Sequence, residues 1–243
     1  MQVTSIKQAE YFVEHFLGIH SVNFDGIKDI RVLNEIVDAL VECLEFYPEI
    51  AHSICHIGNP DDINAQMNML ANSFNKKYLH WKIYDDTDGA FAVFSASFQE
   101  SRKPVDYIGL SIRPYISDNT LERINYDNYY AADQGLYTSN CSTIKSSIWH
   151  EVGHVLDNIM KVSTDSKFLS MIKNANIKEE ISEYAMINQR ETFAEAFAEY
   201  HAALDSSILI EAIGEYADRK YKVLSLKKPQ NFELSNRFKI GRQ

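Results

Sequence analysis

The chain changes its hydrophobic period twice. In DIRVLNEIVDALVECLEFYPEI, Val32, Leu33, Ile36, Leu40, Val41, Leu44 and Phe46 recur three and four residues apart, which is the spacing of one helix face. Pro48 predicts the end of that helix. NPDDINAQM then reads as a loop leading into a short helix. The period shifts in YLHWKIYDDTDGAFAVFSASF, where aromatic and β-branched stretches flank a DDTDG turn and predict a β-hairpin. VDYIGLSIRPYI predicts a further strand, and GLYTS a short one. From about residue 143 the helical period returns. TIKSSIWHEVGHVLDNIM places Ile144, Ile148, Val152, Val155 and Ile159 on one stripe. A second helix over roughly 189–204 does the same with Phe193, Phe197, Tyr200 and Leu204. The order predicts an α+β chain, with a helical N-terminal region over 1–75 and an α+β domain over 76–243. No internal repeat or low-complexity segment interrupts it.

Composition is that of an ordinary globular protein: 45% hydrophobic residues, with 13 Phe and 14 Tyr to build a core. Nine Gly and five Pro exclude collagen-like and linker-like chains. The net charge of −10 argues against nucleic acid as a partner, since binding it needs a basic footprint. The charge is uneven. Residues 219–243 hold eight Lys or Arg against the single acid Glu233, leaving a strongly acidic body. Such a body favours a basic or neutral peptide. Cys43, Cys55 and Cys141 are too few and too far apart for a disulfide framework and fit free thiols in a reducing compartment. MQVTSIKQAEYFVEH contains no uninterrupted apolar stretch, so no signal peptide is read, and no run approaches the roughly 18 apolar residues of a membrane span. The expectation is a chain with no membrane span that is cytoplasmic or delivered by a route needing no signal peptide.

The chemistry centres on His150-Glu151-Val152-Gly153-His154, an H-E-x-x-H sequence on a predicted helix. Two histidines four apart leave the same face one turn apart, so their imidazoles can share one metal ion. Zinc takes such nitrogen ligands, and a catalytic zinc site uses three protein ligands and leaves a position for water. Glu151 points beside the metal rather than at it, where it can take a proton from the attacking water. A third ligand is needed. Asp157 lies three residues after His154 but one turn further along, and suits orienting a ligand or capping local structure. Downstream, NQRETFAEAFAEYHA offers Glu191, Glu195 and Glu199 on one face, and spacing does not choose among them. Asn188 and Glu191 also form a capping-box sequence. Asp85, Asp86 and Asp88 lack the partners of a calcium loop and read as a turn. His52 and His56, four apart beside Cys55, are the other pair with metal spacing, though an exposed helix end explains them as well.

HEVGHVLD followed by ETFAEAFAEY resembles the metallopeptidase domain of anthrax toxin lethal factor and of the related secreted Pro-Pro endopeptidases. The resemblance extends to Tyr184, seven residues before Glu191, and to KKPQNFELSNRF near the end, and covers roughly residues 105–240. It implies a zincin-like fold: a small twisted sheet, an active-site helix and C-terminal helices. It implies His150, His154 and Glu191 as ligands of Zn2+, Glu151 as general base, and Tyr184 as donor to the oxyanion, a role for which the residues alone give no signal. Glu195 would support the site from behind the ligands. Gly153 is costly in mid-helix; the close approach of another segment would justify it, and simple tolerance is the alternative. A strand around Ile108–Ile112 could present a sheet edge to an extended peptide, though sequence does not locate that edge. The expectation is a chain without the extra domains of lethal factor and without the export signal of the secreted enzymes. The first 75 residues are weakly similar to domains that precede toxin-like enzymes in phage structural proteins. The expectation is a zinc endopeptidase acting on a protein or peptide substrate, a toxin, effector or phage-associated protease. The alternative is a non-catalytic binding or virion-associated protein retaining the fold.

Overall fold

A computed structural model describes residues 2–73, 91–100, 103–138, 141–202 and 206–226. The first helices are α1 (Ile6–His15) and α2 (Ile30–Phe46). Ser5 caps α1 by accepting from the Gln8 amide, and Asp29 caps α2 by accepting from the Arg31 amide. Asp29 also accepts from the Leu121 amide at 3.1 Å and so fixes a distant helix start. α2 buries Val32, Leu33, Ile36 and Leu40 as its spacing predicts, while Phe46 ends the helix exposed. Pro48 opens a 3-10 turn, Pro48–His52. β1 (His56–Gly58) and α3 (Pro60–Ser73) follow, with the Asn59 side chain accepting from the Asp62 amide at the start of α3.

β2 (Phe91–Glu100) and β3 (Lys103–Ile112) are antiparallel, in a register from Phe91↔Ile112 to Glu100↔Lys103. β1 lies parallel on the other side of β3, with Ile57 opposite Leu110. The sheet order among the described residues is therefore β1-β3-β2. This corrects the expectation that Ile108–Ile112 presents a sheet edge: that segment is central and paired on both sides. The predicted DDTDG turn lies outside the described residues. The strand predicted through Ile116 stops at Ile112, because Pro114 takes the first position of α4 (Pro114–Asp118), where its missing N–H costs nothing. The predicted GLYTS strand does not form over its described residues. Instead the Gly135 and Leu136 carbonyls accept from the amides of Glu183 and Tyr184.

The remaining helices are α5 (Leu121–Asp133), α6 (Ile144–Met160), α7 (Ser166–Ile172), α8 (Ile177–Glu180), α9 (Gln189–Ala202) and α10 (Ile208–Leu226). The fold is helix-rich α+β. One continuous core runs from Val3 through α2, the sheet, α6 and α9 to Ala217. The expected boundary near residue 75 lies outside the described residues, and the residues on either side of it share this core and this sheet. No helix among the described residues is long and apolar enough to cross a membrane.

A polar knot anchors α6 from behind. Tyr47 donates to Asp218 and lies 2.9 Å from His201 Nε2, Tyr200 donates to Asp218 at 3.2 Å, and His201 stacks on Trp149 with centroids 4.0 Å apart. Burial holds the His201 imidazole down at about 4, against the opposing pull of Asp218 and Glu42. In the unfolded chain this histidine takes its proton near the ordinary value of about 6.5. The stability it contributes as a neutral ring is therefore full above that pH and is lost as pH falls toward 4. Between pH 7 and pH 5 the wild-type chain is expected to lose about 2 kcal/mol more than His201→Phe. Denaturant unfolding of both proteins at the two pH values checks this.

Candidate metal centre

Three elements build the centre. α6 begins at a capping box in which Thr143 accepts from the Ser146 amide at 3.1 Å and Ser146 accepts from the Thr143 amide at 3.1 Å. The helix buries Ile144, Ile148, Val152 and Val155 from its predicted stripe, together with Trp149 and Leu156. α9 crosses it. A Cβ on Gly153 would stand 3.1 Å from the Ala194 Cα and 3.3 Å from the Phe197 ring, so a side chain there would push the helices apart. Gly153 therefore sits where the expected close approach occurs. Ala194 lies between Glu191 and Glu195, so this contact also sets how far their carboxylates reach toward α6. Arg190 locks the same crossing by pairing with Asp157 at 3.4 Å and donating to the Asn158 side-chain oxygen Oδ1 at 3.2 Å.

The crossing brings three ligand atoms to one point. His150 Nε2 and His154 Nε2 are 3.1 Å apart, and Glu191 Oε2 lies 3.2 Å from the first and 3.1 Å from the second. Three nitrogen or oxygen ligands of a tetrahedral zinc ion, each at its usual bond length, stand about 3.3 Å apart. The donor set, its spacing and its neutral-imidazole chemistry fit a divalent transition metal. Asn188 caps α9 by accepting from the Arg190 and Glu191 amides, but the Glu191 carboxylate turns to the histidines rather than completing a capping box. The alternatives left open by sequence therefore separate: Glu191 joins the cluster and Glu199 is buried elsewhere.

Glu195 is 2% exposed and accepts from His150 Nδ1 at 2.8 Å. That bond fixes the ring so that Nε2 faces the other two ligands. Burial opposes charging His150, but Glu191 and Glu195 outweigh it and lift the imidazole to about 10. Burial likewise works to raise Glu191, yet bonds from His150 and His154 hold it well below the usual carboxylate range. Asp157 takes the capping option: its carboxylate accepts from the Ser163 amide at 2.7 Å and the Ser163 hydroxyl at 2.8 Å, securing the chain after the left-handed Lys161.

Glu151 is 8% exposed, and its Oε2 has no hydrogen-bond partner among the described residues. It lines a cleft of about 680 Å³ with His150, His154, Glu191 and Tyr184. Tyr184 opens a 3-10 turn, Tyr184–Met186, and its ring packs 5.9 Å from His150 and 5.6 Å from Tyr137. Burial and the nearby Glu191 push its phenol up, so it stays protonated and able to donate. Phe91 and Val93 of β2 and Asp127 of α5 also line the cleft. Cys141 also lines the cleft, but burial pushes its thiol up and it stands outside the ligand cluster. His52 and His56 do not form a second cluster: His56 is buried with Nδ1 3.1 Å from the Ser21 hydroxyl, and His52 lies at an exposed turn end. Tyr137, Arg190 and the partners of Glu195 carry no periodic or motif signal in the sequence, and only the fold places them at the site.

Residues 131–225 match the family model of anthrax toxin lethal factor, N- and C-terminal domain. That segment is lethal factor-like. It runs from the end of α5 through α6, the Tyr184 turn and α9 into α10, and so contains every ligand of the candidate centre. No curated protein and no solved structure matches the chain.

Proposed function

We propose that the chain is a zinc-dependent endopeptidase with a zincin-like catalytic domain. The observation that carries this reading is the triangle of His150, His154 and Glu191 at the floor of a cleft that also exposes Glu151 and Tyr184. His150, His154 and Glu191 would hold the ion. When bound, it supplies Lewis acidity, which makes water a better nucleophile and polarises a carbonyl at neutral pH.

The chain's own residues account for the rest of the chemistry. Glu151 stands beside the cluster with a buried carboxylate oxygen that has no partner among the described residues, suited to take the proton of the attacking water and pass it to the leaving amine. Tyr184 donates a hydrogen bond to the carbonyl oxygen as negative charge develops there. Glu195 holds the His150 ring in place throughout. The net charge of −10 favours a basic or neutral peptide. The lethal factor-like segment supports a toxin or effector context. The test is digestion of a proteome-derived peptide library by the zinc-supplemented full chain. New peptide termini are expected, abolished by a chelator and restored by zinc. An unchanged library would contradict the reading.

A further inference from the structure

Glu195 has two oxygens, and they face different machinery. Oε1 accepts from the His150 imidazole at 2.8 Å. Oε2 accepts from the Ser182 hydroxyl at 2.9 Å and, at a long 3.4 Å, from the Thr138 amide. Ser182 is 2% exposed. Its hydroxyl is used twice: it donates to Glu195 and accepts from the Ala185 amide at 3.0 Å. Ser182 and Ala185 bracket Tyr184. The same turn is held from its other side by the Glu183 and Tyr184 amides on the Gly135 and Leu136 carbonyls, and by the Thr192 hydroxyl, which donates to the Ala185 carbonyl at 2.7 Å.

We propose that Ser182 is a positioning residue for Tyr184: its hydroxyl ties the turn carrying the phenol to the buried carboxylate that orients His150, so one carboxylate sets both the metal ligand and the oxyanion donor. The inference rests on the reading of this cleft as a metal centre with Tyr184 facing the reacting carbonyl. The physical argument is one of satisfaction. Among the described residues, removing the hydroxyl leaves Glu195 Oε2 with only the long Thr138 contact and leaves the Ala185 amide without its acceptor, both in a buried place. The turn then relaxes about its remaining bonds to Gly135 and Leu136, and the phenol moves while the His150–Glu195 bond on the other oxygen persists. Sequence gives no hint of this, since a serine two residues before a tyrosine is unremarkable.

The test uses the zinc-loaded full chain and acetohydroxamate, whose ionised oxygen binds zinc and accepts a hydrogen bond as an oxyanion does. Calorimetry measures its affinity, and elemental analysis measures zinc per chain. Ser182→Ala and Tyr184→Phe should each weaken acetohydroxamate about tenfold, the loss of one hydrogen bond to a charged oxygen. The double variant should be no weaker than Tyr184→Phe alone, and Ser182→Thr, which keeps the hydroxyl, should restore affinity. Zinc content should stay the same in all. Ser182→Cys keeps the volume with a poor donor and reads the same quantity if the alanine variant unfolds. Wild-type affinity in the serine variants, losses that multiply in the double variant, no effect of Tyr184→Phe, loss of zinc from Ser182→Ala, or unfolding of both serine variants would each overturn the proposal. A wild-type chain that takes up no zinc would instead overturn the metal-centre reading itself, and this inference with it.

Discussion

Glu151→Gln is expected to lower peptide cleavage about a thousandfold while leaving zinc content and thermal stability unchanged. The substitution keeps the shape of the side chain and removes its capacity to take a proton. Glu151 is buried at the cleft floor but stands outside the ligand cluster, so the ion keeps all three of its ligands. Its Oε2 has no partner among the described residues, so an amide there breaks no bond among them. A loss of activity at constant zinc and constant melting temperature therefore isolates the base. Cleavage at the wild-type rate by this variant would remove Glu151 from the chemistry and leave the alternative of a binding protein that keeps the fold.

Glu191→Ala has the second large effect: zinc affinity should fall at least about a hundredfold. Glu191 supplies the one charged ligand, and its Oε2 is the atom through which both imidazoles are joined. Without it, two nitrogen ligands remain, and no other carboxylate among the described residues is grouped with them. Glu199→Gln should leave zinc affinity unchanged, since Glu199 is buried outside the cluster. Competition with a chelating dye measures both. Equal losses in the two variants would mean that the effect comes from α9 as a whole and not from its first glutamate.

Much of this was legible in the sequence because it is local. The helical period around Ile148 and Val152, the four-residue spacing of His150 and His154, and the phenylalanines of α9 all follow from one turn of helix to the next. The choice of Glu191 over Glu199 was not local, because it depends on where α9 crosses α6, and that is fixed by Gly153 against Ala194. The sheet misled for the same reason. Ile108–Ile112 has the pattern of any apolar strand, and its central place comes from β1, a three-residue strand too short to announce itself. GLYTS has strand-like residues, yet the carbonyls of Gly135 and Leu136 are taken by the Tyr184 turn rather than by a sheet. Pro114 is the exception: its fixed backbone ends β3 and starts α4 by a rule that needs no tertiary context, though the apolar residues around it predicted a longer strand.

The most direct test of the central claim is elemental analysis of the purified, untagged chain after dialysis. A cluster of this spacing should retain about one zinc per chain, and the His154→Ala variant should retain none. A chain that holds no metal, even after zinc is added back, would contradict the account at its base.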